Sequence, residues 1–449
     1  MWRCYSSYFS RKVSKSRLYS RIAPLVRSFI ETRHALRDLM YNSRMNNEKM
    51  IIIGAGAAGL VAAIRSARAG CKVTLLEQNN KIGKKILVSG NGKCNIDNKY
   101  INPNRFHSQN PPFIEEVLKG YDFDVVEKFF TSIGLELIEG KEGKMFPMSL
   151  QASSVVELLE YEAKRVGVEI ICDCAVTNID KKDDTFTLET TQGKKTCVQL
   201  VLASGSPAAP QLGGSNSGYA FATKMGHALV PRHPSLVQLC SEETWVKSCA
   251  GVKVAGLAKL YANGEYITEK KGDILFTNYG ISGLAILDLS REVSTKLANF
   301  DYCELSLDLM PELSKEKLTN LLLARVAKES EKPLALWLQG IINKKLIAII
   351  LEQSKCKVRT EDALNRKEIN KLVHTIKNLK LSINDTKGFK GAEVATGGVD
   401  TTEVNPQTME SKLIENLFFA GEILDVDGDR GGFNFHFAWV TGLRVGGNR

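Results

Sequence analysis

Residues 50–77, MIIIGAGAAGLVAAIRSARAGCKVTLLE, constrain the fold of this chain more than any other stretch of its sequence. An apolar run at residues 51–53 predicts a buried strand, residues 60–69 predict a helix, and residues 72–76 predict a second strand. Glycines separate the first strand from the helix, and an acidic residue follows the second strand. This order of elements is that of a dinucleotide-binding α/β unit.

The glycines of this stretch follow the pattern G-x-G-x-x-G, and each of them has a physical reason. Gly54 makes the tight turn after the strand, and Gly56 lets the backbone come close to a pyrophosphate. Gly59 lets the helix pack closely on the strand, so that the N–H groups at the helix N-terminus face the phosphates. Glu77 stands about twenty residues beyond the glycines, as expected of a ribose hydroxyl ligand, and an acid there disfavours a 2′-phosphate. The stretch therefore predicts an adenine dinucleotide.

The composition of the whole chain is that of a globular protein. With 449 residues, of which 43% are hydrophobic and 24% charged, the chain is long enough for two or three domains with a sizeable core. No run of about eighteen apolar residues occurs, because the best candidate, residues 336–351, is interrupted by four polar or charged residues. The sequence therefore predicts no membrane-spanning segment.

The net charge of +10 belongs mostly to one end of the chain. Residues 1–44 contain ten Lys or Arg against Glu31 and Asp38, so this segment alone is +8 and the remainder is about +2. The predicted folded part therefore has no electrostatic footprint for a nucleic-acid backbone. We expect a small-molecule substrate, no strong nucleic-acid signal and no membrane partner, and we leave the oligomeric state open.

The basic leader, residues 1–47, has two interpretations. It is rich in Arg and Ser and has no acid before Glu31, which is typical of an organellar transit peptide. Alternatively, it is a disordered tail or an incorrectly assigned upstream start, because Met45 and Met50 stand immediately before the first predicted strand. The second interpretation predicts a cytoplasmic protein, and the first predicts the matrix of the mitochondrion or another organelle.

The cysteines give no sign of a metal site. The ten cysteines are scattered without a C-x-x-C pair, and no two of the six histidines stand at metal-ligand spacing near a cysteine. Zinc sites need such pairs, so the sequence predicts no metal. We expect the thiols to be reduced, as they are in a cytosolic or matrix-like compartment.

The pattern changes several times beyond the second strand. Residues 78–100 are polar and contain glycines, which predicts a functional loop that is too irregular for a helix. A helix at residues 155–166 and a parallel strand at 168–172 are followed by a predicted β-meander, whose last strand covers 197–202. That strand leads into small residues that suit a backbone close to a ligand, among them Ala203 and Gly205.

The second half of the chain predicts two further kinds of structure. Short strands separated by Gly and Asn turns predict an antiparallel β domain, with strands at residues 236–239, 253–254, 258–261 and 304–309. Residues 315–374 have helical periodicity, including a helix at 334–351. An apolar strand at residues 417–420 predicts that the chain then returns to the nucleotide-binding domain and completes it.

These patterns predict a division of the chain into six segments. They are a basic leader at residues 1–47, the first part of a dinucleotide-binding domain at 48–206, an inserted β domain at 207–311, a helical insert at 312–376, a return strand of the β domain at 377–390, and the second part of the dinucleotide-binding domain at 391–449.

Motifs outside the glycine pattern are more specific. GKKILVSGNGKCN at residues 83–95, GEILDVDG at 421–428 and GGFN at 431–434 closely resemble the BaiN/YhiN-type bacterial family of FAD-dependent flavoproteins. The resemblance runs from Met50 nearly to the end of the chain and includes TGGV at residues 396–399. It implies an α/β fold with a Rossmann-like FAD-binding domain of the two-dinucleotide-binding-domain type, interrupted by an antiparallel β-barrel-like domain and a helical subdomain.

The resemblance also implies which residues hold the adenosine and pyrophosphate of FAD. Residues at the pyrophosphate are Gly54, Gly56, Ala57, Ala58 and Gly59. Glu77 is implied at the adenosine ribose, and the backbone of Val176 at the adenine. Lys84 and Lys85 are implied beside the phosphates or the ribityl chain, although a solvated lysine pair is the alternative.

The remaining implied contacts are with the flavin end of the cofactor. Residues along the isoalloxazine are Ser89, Gly90, Cys94 and Asn95. Residues at the ribityl chain and the pyrimidine side are Gly421, Glu422, Gly432 and Asn434. A helix beginning near Asn434 points its N-terminus at that side, where its dipole stabilises an anionic reduced flavin.

The sequence departs from the family pattern near its C-terminus. His436 and Phe437 stand where family members more often have Gln and Trp, which puts the FAD affinity in doubt. Asp429 and Arg430 make an unusually charged approach to the flavin turn.

Two residues are candidates for chemistry beside the flavin. Cys94 is a candidate redox partner or nucleophile, but a flavin-linked disulfide needs a second cysteine nearby, and none occurs up to Tyr100. Packing within the loop is the alternative role for this thiol. His436 is a candidate general acid or base, because the intrinsic pKa of histidine lies near neutrality, and a structural or capping role is the alternative.

These observations predict an FAD-dependent oxidoreductase of unknown small-molecule substrate that transfers hydride through flavin N5. A donor such as NAD(P)H would bind transiently, since the sequence has no second nicotinamide-binding glycine pattern. One alternative is an FAD protein with a structural or redox-sensing flavin and a role connected with RNA, which a basic face on the inserted domains would favour. Another is NAD binding without flavin, against which the motif at residues 83–95 argues.

Overall fold

The computed structural model describes residues 49–328 and 332–447. The basic leader predicted over residues 1–47 lies outside this described part, so both of its interpretations stay predictions. Among the described residues, no helix is both long enough and apolar enough to cross a bilayer.

The first part of the chain, up to residue 206, forms strands and helices in alternation and then a meander. Its strands are β1 (Lys49–Ile53), β2 (Lys72–Leu76), β3 (Asp97–Asn98), β4 (Phe106–His107), β5 (Leu137–Glu139), β6 (Lys144–Pro147), β7 (Glu169–Ile171), β8 (Val176–Lys182), β9 (Thr185–Thr190), β10 (Gly193–Cys197) and β11 (Gln199–Leu202). Its helices are α1 (Ala57–Arg68), α2 (Lys84–Val88), α3 (Pro111–Leu118), α4 (Phe123–Ser132) and α5 (Ala152–Arg165).

Residues 207–390, which the sequence predicts as the inserted region, begin with short elements and then form long strands. Its strands are β12 (Leu229–Val230), β13 (Pro234–Ser235), β14 (Leu239–Cys240), β15 (Lys253–Ala262), β16 (Glu265–Phe276), β17 (Gly280–Ser282), β18 (Cys303–Asp308), β19 (Leu379–Ile383) and β20 (Asp385–Thr386). Its helices are α6 (Ser217–Lys224), α7 (Trp245–Ser248), α8 (Leu284–Ala298), α9 (Lys315–Val326), α10 (Leu334–Leu338), α11 (Lys344–Gln353), α12 (Arg366–Lys377) and α13 (Gly388–Gly391).

The C-terminal part returns to the first part of the fold. Its strands are β21 (Val394–Ala395), β22 (Gly398–Val399), β23 (Leu417–Phe419) and β24 (Asp427–Gly428), and its helix is α14 (Phe433–Gly447).

A five-stranded parallel sheet with the order β23-β11-β1-β2-β7 lies at the centre of the nucleotide-binding part. The central strand, β1, is a continuous apolar run, and its Met50 and Ile51 are fully buried. This is expected of a parallel sheet, which is covered on both faces. β23 pairs with β11 from Leu200 opposite Leu417, so the predicted return of the C-terminus to this sheet is confirmed. The predicted parallel strand near residue 170 is also confirmed, since β7 pairs with β2.

Within the described residues, the last helix, α14, packs on the first one, α1. A Cβ atom at Gly442 of α14 would lie 2.6 Å from the backbone oxygen of Ala58 in α1. The absence of a side chain at Gly442 therefore allows the two helices to approach closely. Residues of both helices, among them Leu60 and Val440, belong to one hydrophobic cluster with the strands of the parallel sheet.

The inserted region contains a seven-stranded antiparallel sheet with the order β19-β18-β15-β16-β17-β14-β20. Helices α8 to α12 pack against it and share with it a second hydrophobic cluster, which includes Leu305, Leu318 and Ile369. The predicted helix near residues 315–326 is confirmed as α9.

Three local predictions are wrong. The segment 78–100 was expected to contain no helix, but residues Lys84–Val88 form α2, because Ile86 buries its side chain against the domain core. The helix expected over 334–351 is two helices, α10 and α11. The second one begins at Lys344, because the Asn343 side chain accepts the Lys345 N–H and caps it. Residues 236–238 are not a strand, since Leu236 has a φ of +51°.

Candidate functional site

The glycine turn after β1 has the close contacts that its spacing predicts. Gly54 has a φ of +103°, and a Cβ there would lie 2.5 Å from the oxygen of Ala203. A Cβ at Gly59 would lie 1.9 Å from the oxygen of Gly54, so any side chain at this position would push α1 away from the turn. A Cβ at Gly56 meets nothing within 4 Å. Two of the glycines are thus needed by the fold itself, and the third faces open space.

The N-terminus of α1 is ready to hold an anion. No side chain caps the helix at Gly56, and its first turn, which begins with Ala57 and Ala58, has no acidic residue. The first N–H groups of a helix have no acceptor within the helix, and the dipole makes this end positive. The open space at Gly56 lies at this end, which fits the pyrophosphate of a dinucleotide.

Glu77 lies at the end of β2, beside the same turn. Its side chain is nearly buried, and its Oε2 accepts the N–H of Ala55 at 2.9 Å. Its Oε1 accepts from the backbone N and the Nδ2 of Asn79, at 2.9 and 2.6 Å. The Cys174 N–H donates to the Glu77 backbone oxygen, which brings Val176 at the start of β8 toward this end of the turn. The carboxylate is therefore fixed in place where a ribose is expected.

The two lysines of α2 make different contacts. Lys84 Nζ donates to Asn79 Oδ1 at 3.0 Å, on the Glu77 side of the turn. Lys85 Nζ pairs with Glu422 Oε2 at 3.1 Å, although the two residues stand 337 positions apart. Glu422 Oε1 also accepts the Ala395 N–H and the Ser206 hydroxyl. Glu422 thereby joins α2, the segment after β11 and β21.

The segment after β11 lies against the glycine turn. The Ala203 N–H donates to the Ile53 oxygen at 2.9 Å, and Gly205 has a φ of +71°, a conformation that glycine adopts readily. Gly421 has a φ of +76°, and its N–H donates to Thr441 Oγ1 at 2.9 Å. Small residues from both segments therefore stand at the carboxyl ends of neighbouring parallel strands, where α/β folds bind ligands.

Residues Ser89–Gly92 form a tight turn next to α2. Gly90 and Asn91 both have left-handed backbone conformations, with φ values of 56° and 55°. The Ser89 hydroxyl donates to the Ile86 oxygen and closes the end of α2. Asn95 has a buried side-chain oxygen without a partner in the described part of the chain. Buried acceptors are rarely left unpaired, so a bound group with a donor fits this position.

Cys94 is fully buried, and burial raises the pKa of its thiol to about 11. A thiol with so high a pKa is protonated at neutral pH and is a weak nucleophile. This geometry favours the packing role over the catalytic one.

His436 is also fully buried, and both of its ring nitrogens are engaged. Nδ1 lies 2.9 Å from Asp97 Oδ1, and Nε2 lies 3.1 Å from the Tyr121 oxygen. Burial raises the pKa of the Asp97 carboxyl, and the contact with His436 opposes this shift. The imidazole therefore ties α14 to β3 inside the core, and it has no ring nitrogen left for a ligand. We do not retain His436 as an acid or base.

The residues at the start of α14 hold the preceding turn, residues 428–432, in place. Asn434 bonds both backbone groups of Gly428, at 2.8 Å through Oδ1 and 2.7 Å through Nδ2. A Cβ at Gly432 would lie 2.3 Å from the Asp97 oxygen, and the residue has a φ of +107°. Only glycine fits there, and the turn at residues 428–432 is thus held firmly against β3.

A cavity of about 320 Å³ lies between this turn and the inserted region. Most of its lining residues are charged or polar, and they come from β4, β13, β16, α8 and the segment around β24. The lining comprises His107, Ser235, Leu236, Ile267, Thr268, Lys270, Leu287, Asp288, Arg291, Glu292, Asp427, Gly428, Asp429 and Arg430.

Ion pairs cross this cavity between the two regions. Arg291 Nε lies 3.0 Å from Asp427 Oδ2, and burial raises the pKa of this carboxyl to about 6 although the arginine opposes the shift. Arg430 binds both carboxylate oxygens of Asp288, at 3.2 and 3.1 Å. These pairs hold α8 of the inserted region against the turn that precedes α14.

A third cluster on the cavity wall centres on Asp429. Its Oδ1 lies 2.9 Å from His107 Nε2, and its Oδ2 accepts from Arg105 Nε at 2.6 Å. Burial by itself would raise the pKa of Asp429, but the bonds from His107 and Arg105 lower it. Asp429 is therefore an ionised carboxylate that orients the His107 ring.

Sequence reasoning missed most of this cavity. Asp427 stands within the motif at residues 421–428, and Asp429 and Arg430 are the charged residues between this motif and the one at 431–434. His107 and Arg291 carry no local signal, because their partners lie 322 and 136 positions away in the chain. No group of three or more residues able to hold a metal ion occurs within residues 49–328 and 332–447.

Comparison with known proteins agrees with the motifs. The family described as "HI0933-like protein Rossmann domain" matches residues 48–448. A 3-dehydro-bile acid delta(4,6)-reductase from Clostridium scindens is 35% identical over 88% of this chain and 97% of its own length. A ribosomal RNA dihydrouridine synthase from Haemophilus influenzae is 31% identical over 87% of this chain and 96% of its own. Among solved structures, a 3-ketosteroid delta1-dehydrogenase from Sterolibacterium denitrificans has 10% identity and a TM-score of 0.48, over 89% of this chain and 99% of its own.

Proposed function

Because the chain belongs to the HI0933-like Rossmann-domain family, we propose that it is an FAD-dependent reductase of a carbon–carbon double bond conjugated to a carbonyl group. The names of both curated relatives describe reduction of such a bond, in a 3-oxo bile acid or in the uracil ring. The observation that carries the proposal is the position of the charged cavity, which adjoins the turn at residues 428–432 where the flavin is implied. An acceptor bound in the cavity would therefore lie next to the proposed flavin position.

The residues present fit FAD. The uncapped N-terminus of α1 and the open space at Gly56 suit its pyrophosphate, and the fixed carboxylate of Glu77 suits a ribose. The unpaired Asn95 oxygen suits a donor on the flavin. When bound, FAD supplies two-electron chemistry as hydride transfer, and the protein supplies binding, orientation and electrostatics.

The remaining implied residues keep their proposed places around the cofactor. The Lys85–Glu422 pair and Lys84 stand beside the phosphates or ribityl chain, and Val176 offers its backbone to the adenine. Ser89, Gly90 and Cys94 stand along the isoalloxazine, with Cys94 as a packing residue. Gly421, Gly432 and Asn434 shape the backbone at the pyrimidine side, near the positive end of the α14 dipole.

We infer a polar acceptor rather than a steroid from the residue types that line the cavity. A steroid buries large apolar faces, but the lining contains only three apolar side chains, Leu236, Ile267 and Leu287. Charged groups that are desolvated without a polar partner cost free energy. A pyrimidine base, with two carbonyl oxygens and a ring N–H, can pair with such groups. Uridine, free or within RNA, is therefore our preferred acceptor, and a 3-oxo steroid is the second candidate.

Two further features belong to this proposal. We infer that NAD(P)H is the donor and binds transiently at the flavin face. We also infer the domain division set out above, with boundaries at residues 206/207 and 390/391. The second hydrophobic cluster, which lies wholly within the proposed insert, supports a separate domain there, whereas Tyr219 and Phe221 of α6 belong to the first cluster. The terminal strands of the inserted sheet, β19 and β20, are consecutive in the chain, which supports a barrel-like form for that domain.

The first experiment is a visible spectrum of the purified full-length protein, taken anaerobically before and after NADH and then NADPH. We expect a flavin spectrum that one of the nucleotides bleaches, and that an acceptor restores without oxygen. The acceptors are uridine 5′-monophosphate, a uridine-containing RNA oligonucleotide and a 3-oxo-4-ene steroid. A protein without flavin after reconstitution overturns the cofactor proposal. Bound flavin that none of the acceptors reoxidises overturns the proposed reaction and favours a structural or redox-sensing flavin.

A further inference from the structure

His107 lies on the wall of the charged cavity, beside the turn at residues 428–432. It lines the cavity, and 35% of its side chain is exposed. Its strand, β4, pairs with β24, so that His107 stands opposite Asp427. The preceding residue, Phe106, is buried and packs edge-on against Phe433 at the start of α14, with ring centroids 5.7 Å apart. The backbone of His107 is therefore held by the elements on both sides of the turn where the flavin is implied.

The imidazole ring of His107 is held through one of its two nitrogens. Nε2 lies 2.9 Å from Oδ1 of Asp429, and the Asp429 N–H donates to the Arg105 oxygen at 2.8 Å. Arg105 Nε donates to the other carboxylate oxygen at 2.6 Å, so the carboxylate that orients the ring is itself fixed. Nδ1 has no hydrogen-bond partner among residues 49–328 and 332–447, which leaves it available to a molecule in the cavity.

The charge of Asp429 decides which ring nitrogen exchanges a proton. Burial alone would raise the pKa of this carboxyl, but the bonds from His107 and Arg105 lower it, so the group is ionised at neutral pH. A carboxylate only accepts hydrogen bonds, so Nε2 keeps its proton whether the ring is charged or neutral. Nδ1 is therefore the nitrogen that gains and loses a proton, and the ring keeps its orientation while it does so.

The other histidines that contact a carboxylate in the described part of the chain are closed to ligands. His227 is bound at both ring nitrogens, by Glu403 and Ser411, and its side chain is fully buried. His436 is also buried and bound at both nitrogens. His107 differs from both because it combines a ring oriented by a carboxylate with an unbound nitrogen and a place on a cavity wall. This arrangement suits a histidine that transfers protons.

We propose that His107 delivers the proton that completes the proposed reduction, and that Asp429 is its positioning residue. The substrate then lies in the cavity with the α-carbon of its conjugated double bond beside Nδ1. This inference rests on the proposed function, to which it adds the proton donor.

Reduction by this route adds a hydride and a proton to the substrate. The β-carbon of the substrate accepts the hydride from the reduced flavin, and the electron pair of the double bond moves onto the α-carbon and the carbonyl oxygen. The Nδ1–H bond of the protonated His107 ring then breaks, a C–H bond forms at the α-carbon, and the carbonyl group is restored. The neutral ring regains a proton from water. The substrate has gained two electrons, and the flavin has lost two.

The test uses the full-length holoenzyme, reduced with dithionite and mixed anaerobically with whichever of the three acceptors reoxidises the wild-type flavin. In His107→Gln, the side-chain amide can still donate to Asp429 from near the position of Nε2, but no group at the position of Nδ1 can supply a proton. We expect reoxidation to slow by about 10²–10⁴-fold, the usual contribution of a general acid. The FAD content and the acceptor dissociation constant, measured by the perturbation of the oxidised flavin spectrum, stay close to wild type.

Chemical rescue separates proton donation from a structural role. We expect His107→Ala to be as slow as His107→Gln. Free imidazole should raise the rate of His107→Ala at least about tenfold, because it can enter the space of the missing ring and donate the proton. The same concentration of imidazole should leave the wild-type rate unchanged.

Two further variants complete the comparison. Asp429→Asn removes the charge that orients the ring. We expect reoxidation to slow at least about tenfold with unchanged acceptor binding, because a misplaced catalytic group loses much of its effect. His374→Gln is the matched control, since it makes the same substitution at an exposed histidine of α12, and it should alter neither property.

Three results would overturn the role of His107 while the proposed function stands. The first is a His107→Gln variant that is slower than wild type by less than about tenfold, well short of the contribution of a general acid. The second is a slow His107→Ala variant that imidazole does not accelerate. The third is loss of FAD from both variants, because His107 then serves to hold the turn. If wild-type flavin is reoxidised by none of the acceptors, the proposed function fails and this inference fails with it.

Discussion

The glycine turn and the charged cavity are built in opposite ways. The turn takes its three glycines from a single stretch of the chain, and Gly59 packs on the backbone of Gly54, five residues before it. The cavity is assembled from five elements, and its ion pairs join residues more than a hundred positions apart, as Arg291 does with Asp427. The candidate nucleotide-binding turn is therefore local, whereas the cavity depends on how residues 207–390 pack against the turn at residues 428–432.

The largest expected effect concerns the glycine turn, whose residues come from a single stretch of the chain. Gly59→Val places a branched side chain where a Cβ alone would lie 1.9 Å from the Gly54 oxygen. We expect α1 to be displaced, the cooperative unfolding transition to be lost and no FAD to be retained, because overpacking against a backbone atom cannot be relieved by a side-chain rotation. Circular dichroism melting measures the unfolding transition, and the flavin absorbance of the purified variant measures how much FAD it retains. A variant that melts like wild type and holds FAD would contradict the close packing.

The next effect concerns a long-range pair. His436→Ala removes the imidazole that is hydrogen-bonded to the buried Asp97 carboxyl, and the loss of a partner of a buried polar group costs about 1–3 kcal/mol. We expect the free energy of unfolding in urea to fall by this amount. The exposed His374→Ala on α12 is the control and should change it by less than about 0.5 kcal/mol. An unchanged stability together with a large loss of reductase activity would return His436 to the acid–base candidates.

A third effect is specific to the cavity and depends on pH. The pKa of Asp427 is raised in the folded protein to about 6, from 3.8, so the folded state binds more protons than the unfolded state between these values. Stability therefore falls as pH rises from about 4 to about 6, by up to about 3 kcal/mol for this group. Asp427→Asn removes the titration, and we expect the difference in unfolding free energy between the two proteins to change by about 2 kcal/mol between pH 4.5 and 7, because the rest of the change falls below pH 4.5. A constant difference would contradict the raised pKa.

The smallest effect on stability is expected at Gly56, the glycine of the turn that faces open space. Gly56→Ala adds a methyl group that meets nothing within 4 Å, at a φ of −84° that alanine adopts freely. We expect the free energy of unfolding of the apoprotein to change by less than about 0.5 kcal/mol. The FAD dissociation constant should rise at least about tenfold, because the methyl group stands where the pyrophosphate approaches. Equal FAD affinity would place the pyrophosphate elsewhere.

Prediction from sequence succeeded where the signal was local and periodic. The parallel strands around β1 and the return of residues 417–419 to the sheet follow from apolar runs that only a doubly covered sheet can bury. The interruption of the expected helix at residues 334–351 was missed because both halves are apolar, and the cap at Asn343 has no strong pattern. Element boundaries of this kind depend on single hydrogen bonds.

Some residues of the candidate site could likewise be predicted from the sequence, and others could not. Gly59 and Glu77 make their contacts, with Gly54 and Ala55, within one βαβ unit, and the close approach of Gly54 to Ala203 follows from the pairing of β1 with β11. The role first considered for His436 could not be judged from sequence, since its two partners, Asp97 and Tyr121, stand more than 300 positions away. Burial decides whether a histidine is available for chemistry, and burial is a property of the whole fold.

The close contact between α14 and α1 has a consequence for how the protein is made. Ala58 leaves the ribosome about 380 residues before Gly442, the residue that packs on it. At a synthesis rate of about 5–20 residues per second, α1 waits about 20–75 s for its covering helix. During this time the apolar surface of the nucleotide-binding half is incomplete, while the inserted region already has all of its strands. The domain that the chain begins first is the one that it finishes last.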